Sequence, residues 1–231
     1  SQATIGISGD GEKLFIYQSR IDTDEEIYYT SRDQDYYRLK PLEIFNTPSW
    51  ENHVTISADE KTLFFVSDRP GGLGGTDIWR CLKLPNGEWS KPFNLGPPIN
   101  SSYNEQSPFI HPDGKTLYYS SDGEQSMGGY DIFFSKKIDN IKWSNPINMG
   151  FPLNTVDDDL FFTTSADGER GYYASNHEGG YGGNDLYMVK LKNTITDPVT
   201  ILKGHVDKGE LPTLPEGITI WVHEEGSNLE S

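Results

Sequence analysis

The sequence repeats one pattern four times, and this repeat restricts the possible fold more than any other feature. Each copy contains a short polar segment with an aspartate, and an apolar, aromatic-rich run follows this segment. The four polar segments are residues 8–11, 57–60, 111–114 and 165–168, and their aspartates lie 49, 54 and 54 residues apart. A period of about 50 residues with several short strands in each copy is typical of a β-propeller or another repeat array.

The third copy shows the strand content of one repeat. Its apolar and aromatic runs predict strands at residues 107–110, 116–121 and 131–136, with a fourth beginning at 147–150. A glycine-containing loop separates the second run from the third, and the second copy matches this order. Four antiparallel strands per copy are the makeup of a propeller blade. We therefore predict an all-β fold with four propeller blades over residues 1–196.

The fourth copy lacks the outer strand, and residues 193–198 read as a linker. Closed propellers often complete the last blade with a strand from the N-terminal end, yet this chain begins almost at its first predicted strand. We expect at least one further blade and the closing strand N-terminal to Ser1, so that the four blades belong to a larger ring. A four-bladed ring is the alternative. Residues 199–231 are expected to begin a second β-domain that is cut off at Ser231.

Composition excludes several classes of function. The net charge of −16 argues against binding to nucleic acid or anionic lipid, whose phosphates attract Lys and Arg; solubility alone also explains this charge. A single cysteine, Cys81, rules out an intrachain disulfide framework and a cysteine zinc site. No apolar run approaches the roughly 20 residues that span a bilayer.

Several motifs resemble a known family. The polar segments, the Ser-Asp after the second strand and the Asp-Ile-aromatic strand are similar to the TolB-type propeller repeats of bacterial periplasmic proteins. Residues 67–79, SDRPGGLGGTDIW, resemble the blade signature of Bacteroidetes outer-membrane lipoproteins of the PorE type. The resemblance covers essentially the whole chain. In that family a carboxypeptidase-regulatory-like β-sandwich and an OmpA-like domain follow the propeller, and residues 199–222 resemble the opening of the sandwich. The first copy departs, because residues 20–26 replace the double-glycine loop.

The resemblance implies a non-enzymatic scaffold in the periplasm, associated with the outer membrane. Such a protein would belong to a type IX secretion complex or another complex linked to the cell wall. Its expected partners are envelope or secretion-system proteins. Peptidoglycan would be contacted only through the OmpA-like domain, which this sequence does not contain.

One set of acids stands out within the repeat. Glu51, Glu105 and Asp159 each lie eight residues before the aspartate of a polar segment. In a propeller this position is the start of an innermost strand, near one mouth of the central channel. Three acids there would bind a cation or a basic group of a partner. Alternatively, each acid caps a neighbouring backbone turn, and the ring is too wide for one ion to bridge.

Other loop residues suggest further interpretations. Trp50, Tyr103 and Tyr181 are candidate partner anchors, and packing between blades is the alternative. Aspartates at both ends of a glycine loop, as in residues 68–77 and 122–131, suggest Ca²⁺, but two carboxylates fall short of a site. We therefore expect no cofactor and no metal. The glycines themselves match no phosphate-binding pattern and are expected to serve hairpin loops.

Catalytic patterns are otherwise lacking in the sequence. It has no Gly-x-Ser-x-Gly and no His-Glu-x-x-His motif, and its five histidines lack ligand spacing. Two alternatives to the scaffold stay open: a propeller glycosidase or lyase, whose paired acids are defined in space, and a module that captures glycans or peptides.

Overall fold

The computed structural model describes residues 2–8, 12–20, 23–32, 38–45, 47–177, 179–191, 195–197 and 199. Asp10 of the first polar segment and most of the predicted second domain, residues 200–231, lie outside this range. The chain divides into two units, Ser1–Ile201 and Leu202–Ser231. The described residues all belong to the first unit, so the proposed boundary at residues 196–199 stays a prediction.

Fifteen strands are described, and each copy of the repeat forms one sheet. The first sheet contains β1 (Gln2–Ile7), β2 (Lys13–Arg20), β3 (Thr23–Ser31) and β4 (Lys40–Pro41), and a short 3₁₀ helix (Glu43–Phe45) follows it. The second contains β5 (Glu51–Ile56), β6 (Thr62–Ser67), β7 (Asp77–Leu82) and β8 (Phe93–Asn94). The third contains β9 (Glu105–Ile110), β10 (Thr116–Ser121), β11 (Asp131–Lys136) and β12 (Ile147–Asn148). The fourth contains only β13 (Asp159–Thr164), β14 (Arg170–Ser175) and β15 (Asp185–Lys190).

Within each sheet the strands follow chain order and pair antiparallel. The predicted all-β fold with four propeller blades is confirmed. The prediction that the fourth copy lacks its outer strand falls largely on residues outside the described range. The 54-residue spacing of the polar segments is therefore the spacing from one blade to the next. Among the described residues, no helix has the length and hydropathy needed to cross a membrane.

The hydrophobic core lies between neighbouring sheets, because side chains on a strand alternate between its two faces. On β6, Leu63 and Phe65 pack toward the first sheet, and Phe64 packs toward the third. On β10, Tyr118 packs toward the fourth sheet. The second and third sheets are thus covered on both faces, as the aromatic-rich composition predicts.

The innermost strands β1, β5, β9 and β13 converge on one cavity of about 370 Å³. Across it, the rings of His53 and Phe161 meet edge to face with their centroids 4.8 Å apart. His53, Ser107 and Phe161 all have a positive φ, at 48°, 50° and 59°. These three residues lie at the same position of the repeat, at the irregularity that interrupts the pairing of each innermost strand.

The outer face of the fourth sheet is exposed. Leu186 on β15 is 78 % exposed, whereas Ile78 and Ile132, which hold the same position in the second and third sheets, are fully buried. Met188 on the same strand is also exposed. That the complete ring holds further blades stays a prediction, and this face is where one would pack.

Candidate functional site

One end of the four sheets carries most of the residues that the sequence singles out. Because the strands are antiparallel, each innermost strand begins where the second strand of its sheet ends. The pairs Glu51–Ser67, Glu105–Ser121 and Asp159–Ser175 mark this end in three sheets. The loops between the second and third strands follow directly. We call this end of the propeller the loop face.

The glycine loops of the loop face are fixed by the aspartate that begins each third strand. Asp131 Oδ2 accepts the N–H of Met127 at 2.8 Å and the side-chain amide of Asn148 at 2.7 Å. Asp185 accepts the N–H of Tyr181 at 2.6 Å. Asp77 bonds its own loop in the same way. A carboxylate that bonds backbone N–H groups is a strong restraint, so the loops hold a defined shape.

Each fixed loop presents one large apolar side chain to solvent. The residue whose N–H bonds the aspartate is Leu73 in the second sheet, Met127 in the third and Tyr181 in the fourth. Leu73 is 50 % exposed, Met127 is 48 % exposed and Tyr181 is fully exposed. We call these three residues the loop tips. Only Tyr181 was predicted from the sequence as a partner anchor, although a spacing of 54 residues relates all three positions.

The loops also join each blade to the next. The N–H of Thr76 bonds Asn104 Oδ1 at 3.1 Å, and the N–H of Gly75 bonds the carbonyl of Tyr103 at 3.2 Å. Between the third and fourth sheets, Asp158 Oδ1 accepts the N–H of Tyr130 at 3.0 Å. The loop face is therefore continuous from the second to the fourth sheet, which favours its use as one surface.

The acids of the predicted set are buried below this surface. Glu105 accepts hydrogen bonds from the hydroxyl of Ser101 at 2.6 Å and from that of Ser121 at 3.2 Å. Asp159 accepts the N–H and the hydroxyl of Thr155 at 2.6 and 3.1 Å. Burial raises the pKa of both carboxyl groups, and that of Glu105 reaches about 7.

Glu51 differs because it has a cationic partner. It accepts from the hydroxyl of Thr47 and forms a 2.9 Å ion pair with Arg69. Burial still raises the pKa of its carboxyl group. In all three sheets the acid bonds a hydroxyl-bearing residue four positions before it, so each acid holds the turn that leads into its own strand. Docking of a partner on Glu51, Glu105 and Asp159 stays a prediction.

The loop aspartates considered for Ca²⁺ have protein partners. Asp68 accepts the N–H of Trp50 at 2.8 Å, and Asp122 accepts the N–H of Asn104 at 2.8 Å. Within the part of the chain that the structure describes, no three His, Cys, Asp or Glu side chains are grouped to hold a metal ion.

The three predicted aromatic anchors have different surroundings on the loop face. Trp50 is half-buried, and its ring meets His53 edge to face at 6.5 Å. Tyr103 is partly exposed beside a cavity, with its hydroxyl 3.5 Å from Glu124. The side chain of Tyr181 is fully exposed to solvent. Of the three, Tyr181 is best placed to enter a partner.

Comparisons with solved structures support the fold. TolB from Acinetobacter baumannii superposes with a TM-score of 0.53 at 15 % identity, over 84 % of this chain and 42 % of that one. A putative TolB from Agrobacterium tumefaciens gives 0.54 at 17 % identity, over 80 % and 60 %. An endo-arabinase from Bacteroides thetaiotaomicron gives 0.50 at 14 % identity, over 78 % and 70 %.

These matches show that the chain has a TolB-like propeller fold. It spans less than two-thirds of the length of both TolB structures. No family model and no curated protein matches the sequence.

Proposed function

We propose that this chain is a non-enzymatic protein-interaction module whose loop face docks an envelope or secretion-system protein. The proposal rests on the exposure of the loop tips. Leu73, Met127 and Tyr181 are exposed at equivalent positions of three neighbouring blades, on loops that aspartates hold in place. Exposed aromatic and methionine side chains on a rigid support are the usual anchors of protein interfaces.

The charge of the chain indicates the character of the partner. Because the net charge is −16, the surface that meets the loop face is expected to be basic. The buried acids support a non-enzymatic role, since Glu51, Glu105 and Asp159 each bond the turn that leads into their own strand. General acid–base chemistry on a glycoside instead requires two carboxyl groups facing one substrate.

The cellular setting forms part of the same proposal. Residues 67–79 resemble the blade signature of PorE-type lipoproteins, and the fold is that of a TolB-like propeller. The TolB-like fold supports a place in the periplasm. The resemblance of residues 67–79 supports the finer setting next to the outer membrane, in a type IX secretion complex or a complex linked to the cell wall.

We expect polar side chains at the loop tips to weaken docking. A triple variant, Leu73→Ser, Met127→Ser and Tyr181→Ser, is expected to capture at least about tenfold less partner than the native chain, because interface anchors account for most of the binding energy. The measurement is quantitative affinity capture from solubilised envelopes of the source bacterium. All three side chains are exposed, so the melting temperature should change little.

A matched control is available on the opposite end of the propeller. Ile138 and Ile141 are 67 % and 65 % exposed in the turn after β11, away from the loop face. The double variant Ile138→Ser, Ile141→Ser should capture the partner as the native chain does. Equal capture by the native chain and the loop-tip variant would contradict the proposal.

A further inference from the structure

An arginine side chain fills the space beside the acid of the second sheet. Arg69 donates from Nη2 to Glu51 at 2.9 Å and from Nε to the hydroxyl of Ser67 at 3.0 Å. Its guanidinium carbon lies 4.7 Å from the ring centroid of Phe65 and 5.5 Å from that of Trp79. One carboxylate, one hydroxyl and two aromatic rings thus bind a guanidinium group that the same blade supplies.

The third sheet has equivalent residues around this position but lacks the arginine. The equivalent residues, 54 positions later, are Glu105, Ser121, Tyr119, Phe133 and Gly123. Gly123 takes the place of Arg69, and the loop backbone keeps its bond. The N–H of Gly123 donates to Ser121 Oγ at 3.2 Å, as the N–H of Arg69 donates to Ser67 Oγ at 3.1 Å. The two loops therefore have a common anchor and differ in this side chain.

A cavity of about 350 Å³ lies where the arginine would be. Its lining residues include Gly123, Tyr119, Phe133, Glu105 and Glu124. All its lining residues are described, and none of them is basic. The cavity is large enough for the stem of an arginine side chain as well as its guanidinium group.

The bonds that Glu105 already makes leave it able to accept a cation. Glu51 accepts from the hydroxyl of Thr47 and from Arg69 through the same carboxylate oxygen. Glu105 Oε1 accepts from the hydroxyls of Ser101 and Ser121, and its Oε2 accepts the N–H of Ser101. A carboxylate has about four acceptor positions, so one stays open on Oε2, and a guanidinium that turned the Ser121 hydroxyl away would open a second on Oε1.

The fourth sheet fills the equivalent space differently. His177 replaces the arginine there, and its ring lies over that of Tyr187 with the centroids 4.4 Å apart. Among the described residues of these three blades, the third therefore holds the open site.

We propose that the cavity of the third blade binds a guanidinium group and that an arginine side chain of the docked protein supplies it. The group would pair with Glu105 and lie against Tyr119 and Phe133, as Arg69 does with Glu51, Phe65 and Trp79. The cavity opens on the loop face beside residues 123–125 of the third glycine loop. Only the source of the group rests on the proposed function; the affinity for guanidinium does not.

The first test is a titration of the ¹⁵N-labelled 231-residue chain with N-acetyl-arginine amide, followed by amide chemical shifts. Saturable shifts are expected at the amides of Ser121 and Gly123. N-acetyl-citrulline amide has a similar shape but no charge. It should bind at least about tenfold more weakly than N-acetyl-arginine amide, since the ion pair and the cation–π contact are both lost.

Two variants at one position separate binding from folding. Gly123→Arg supplies the missing side chain and should abolish the response of Ser121 to the probe. Gly123→Ala leaves the cavity open and should bind as the native chain does, because a Cβ there meets only Ser121 Oγ, at 3.3 Å, and Tyr103 and Ser101 at longer distances. No saturable shifts in the native chain, or the same shifts in Gly123→Arg, would overturn the proposed site.

The source of the guanidinium is tested by affinity capture with the same two variants. If a partner arginine enters the cavity, Gly123→Arg should capture at least about tenfold less partner than Gly123→Ala. Equal capture by both variants would overturn the partner as the source. A response to the probe without any captured partner would overturn the proposed function and leave the guanidinium site standing.

Discussion

Replacing Gly128 with alanine is expected to lower the free energy of unfolding by about 3 kcal/mol or more. A Cβ at Gly128 would lie 2.1 Å from the carbonyl oxygen of Val156 and 2.5 Å from its Cα. These are backbone atoms of the segment that leads into the fourth sheet, so no side-chain movement can relieve the clash. The loop and the next blade would have to separate. Chemical denaturation of the native chain and the variant measures the difference.

Gly182 provides the matched control, because it holds the position of Gly128 in the fourth copy. A Cβ there would meet no atom within 4 Å. Gly182→Ala should therefore leave stability unchanged or raise it by up to about 1 kcal/mol, since alanine restricts the unfolded chain. Similar losses for the two variants would show that loop conformation, rather than contact between blades, requires these glycines.

The substitution Ile132→Asp is expected to cost about 4 kcal/mol or more, enough to unfold much of the chain. Ile132 is fully buried between the third and fourth sheets, in a cluster with Tyr118, Leu153 and Phe162. An aspartate there would be charged without a partner. Its pKa would be raised by burial, so the loss relative to the native chain should shrink as the pH falls from 8 to 5. Thermal unfolding at both pH values tests this.

Leu186→Asp is the corresponding change on the exposed face of the fourth sheet. Leu186 occupies the position of Ile132 but is 78 % exposed, so its replacement should change stability by no more than about 0.5 kcal/mol. If the aspartate variant does not fold, Ile132→Ala takes its place in this test. It is expected to lower the free energy of unfolding by about 3 kcal/mol. A loss at Leu186 as large as that at Ile132 would mean that this face is covered in the 231-residue chain.

Much of the fold could be predicted from the sequence because the repeat is local information. Each copy carries its own alternation and turn residues, so the strands of the third sheet could be predicted from its sequence alone. The position of Glu51, Glu105 and Asp159 at the start of an innermost strand followed from the same register.

The character of the site depended on packing and could not be predicted in the same way. That the acids are buried and bond a hydroxyl four residues earlier depends on how each turn folds back, although Thr47, Ser101 and Thr155 were visible at that spacing. Leu73 and Met127 looked like ordinary apolar residues until their exposure was known.

The cavity of the third blade also required the structure. Arg69, Gly123 and His177 align in the repeat, but a glycine in a glycine-rich loop suggests a turn rather than an absent side chain. Only the stacking of Arg69 on Phe65 and Trp79 shows what the third blade lacks. The missing side chain becomes apparent when equivalent positions of the blades are compared, and no single motif shows it.

Docking of a protein on the loop face can be tested by site-specific photocrosslinking in living cells. A photoreactive phenylalanine analogue would replace Tyr181 on the loop face or, as a control, Ile138 on the opposite end. We expect a discrete cross-link to one envelope protein from position 181 and none from position 138. Equal cross-linking from both positions, or none from position 181, would contradict docking on the loop face.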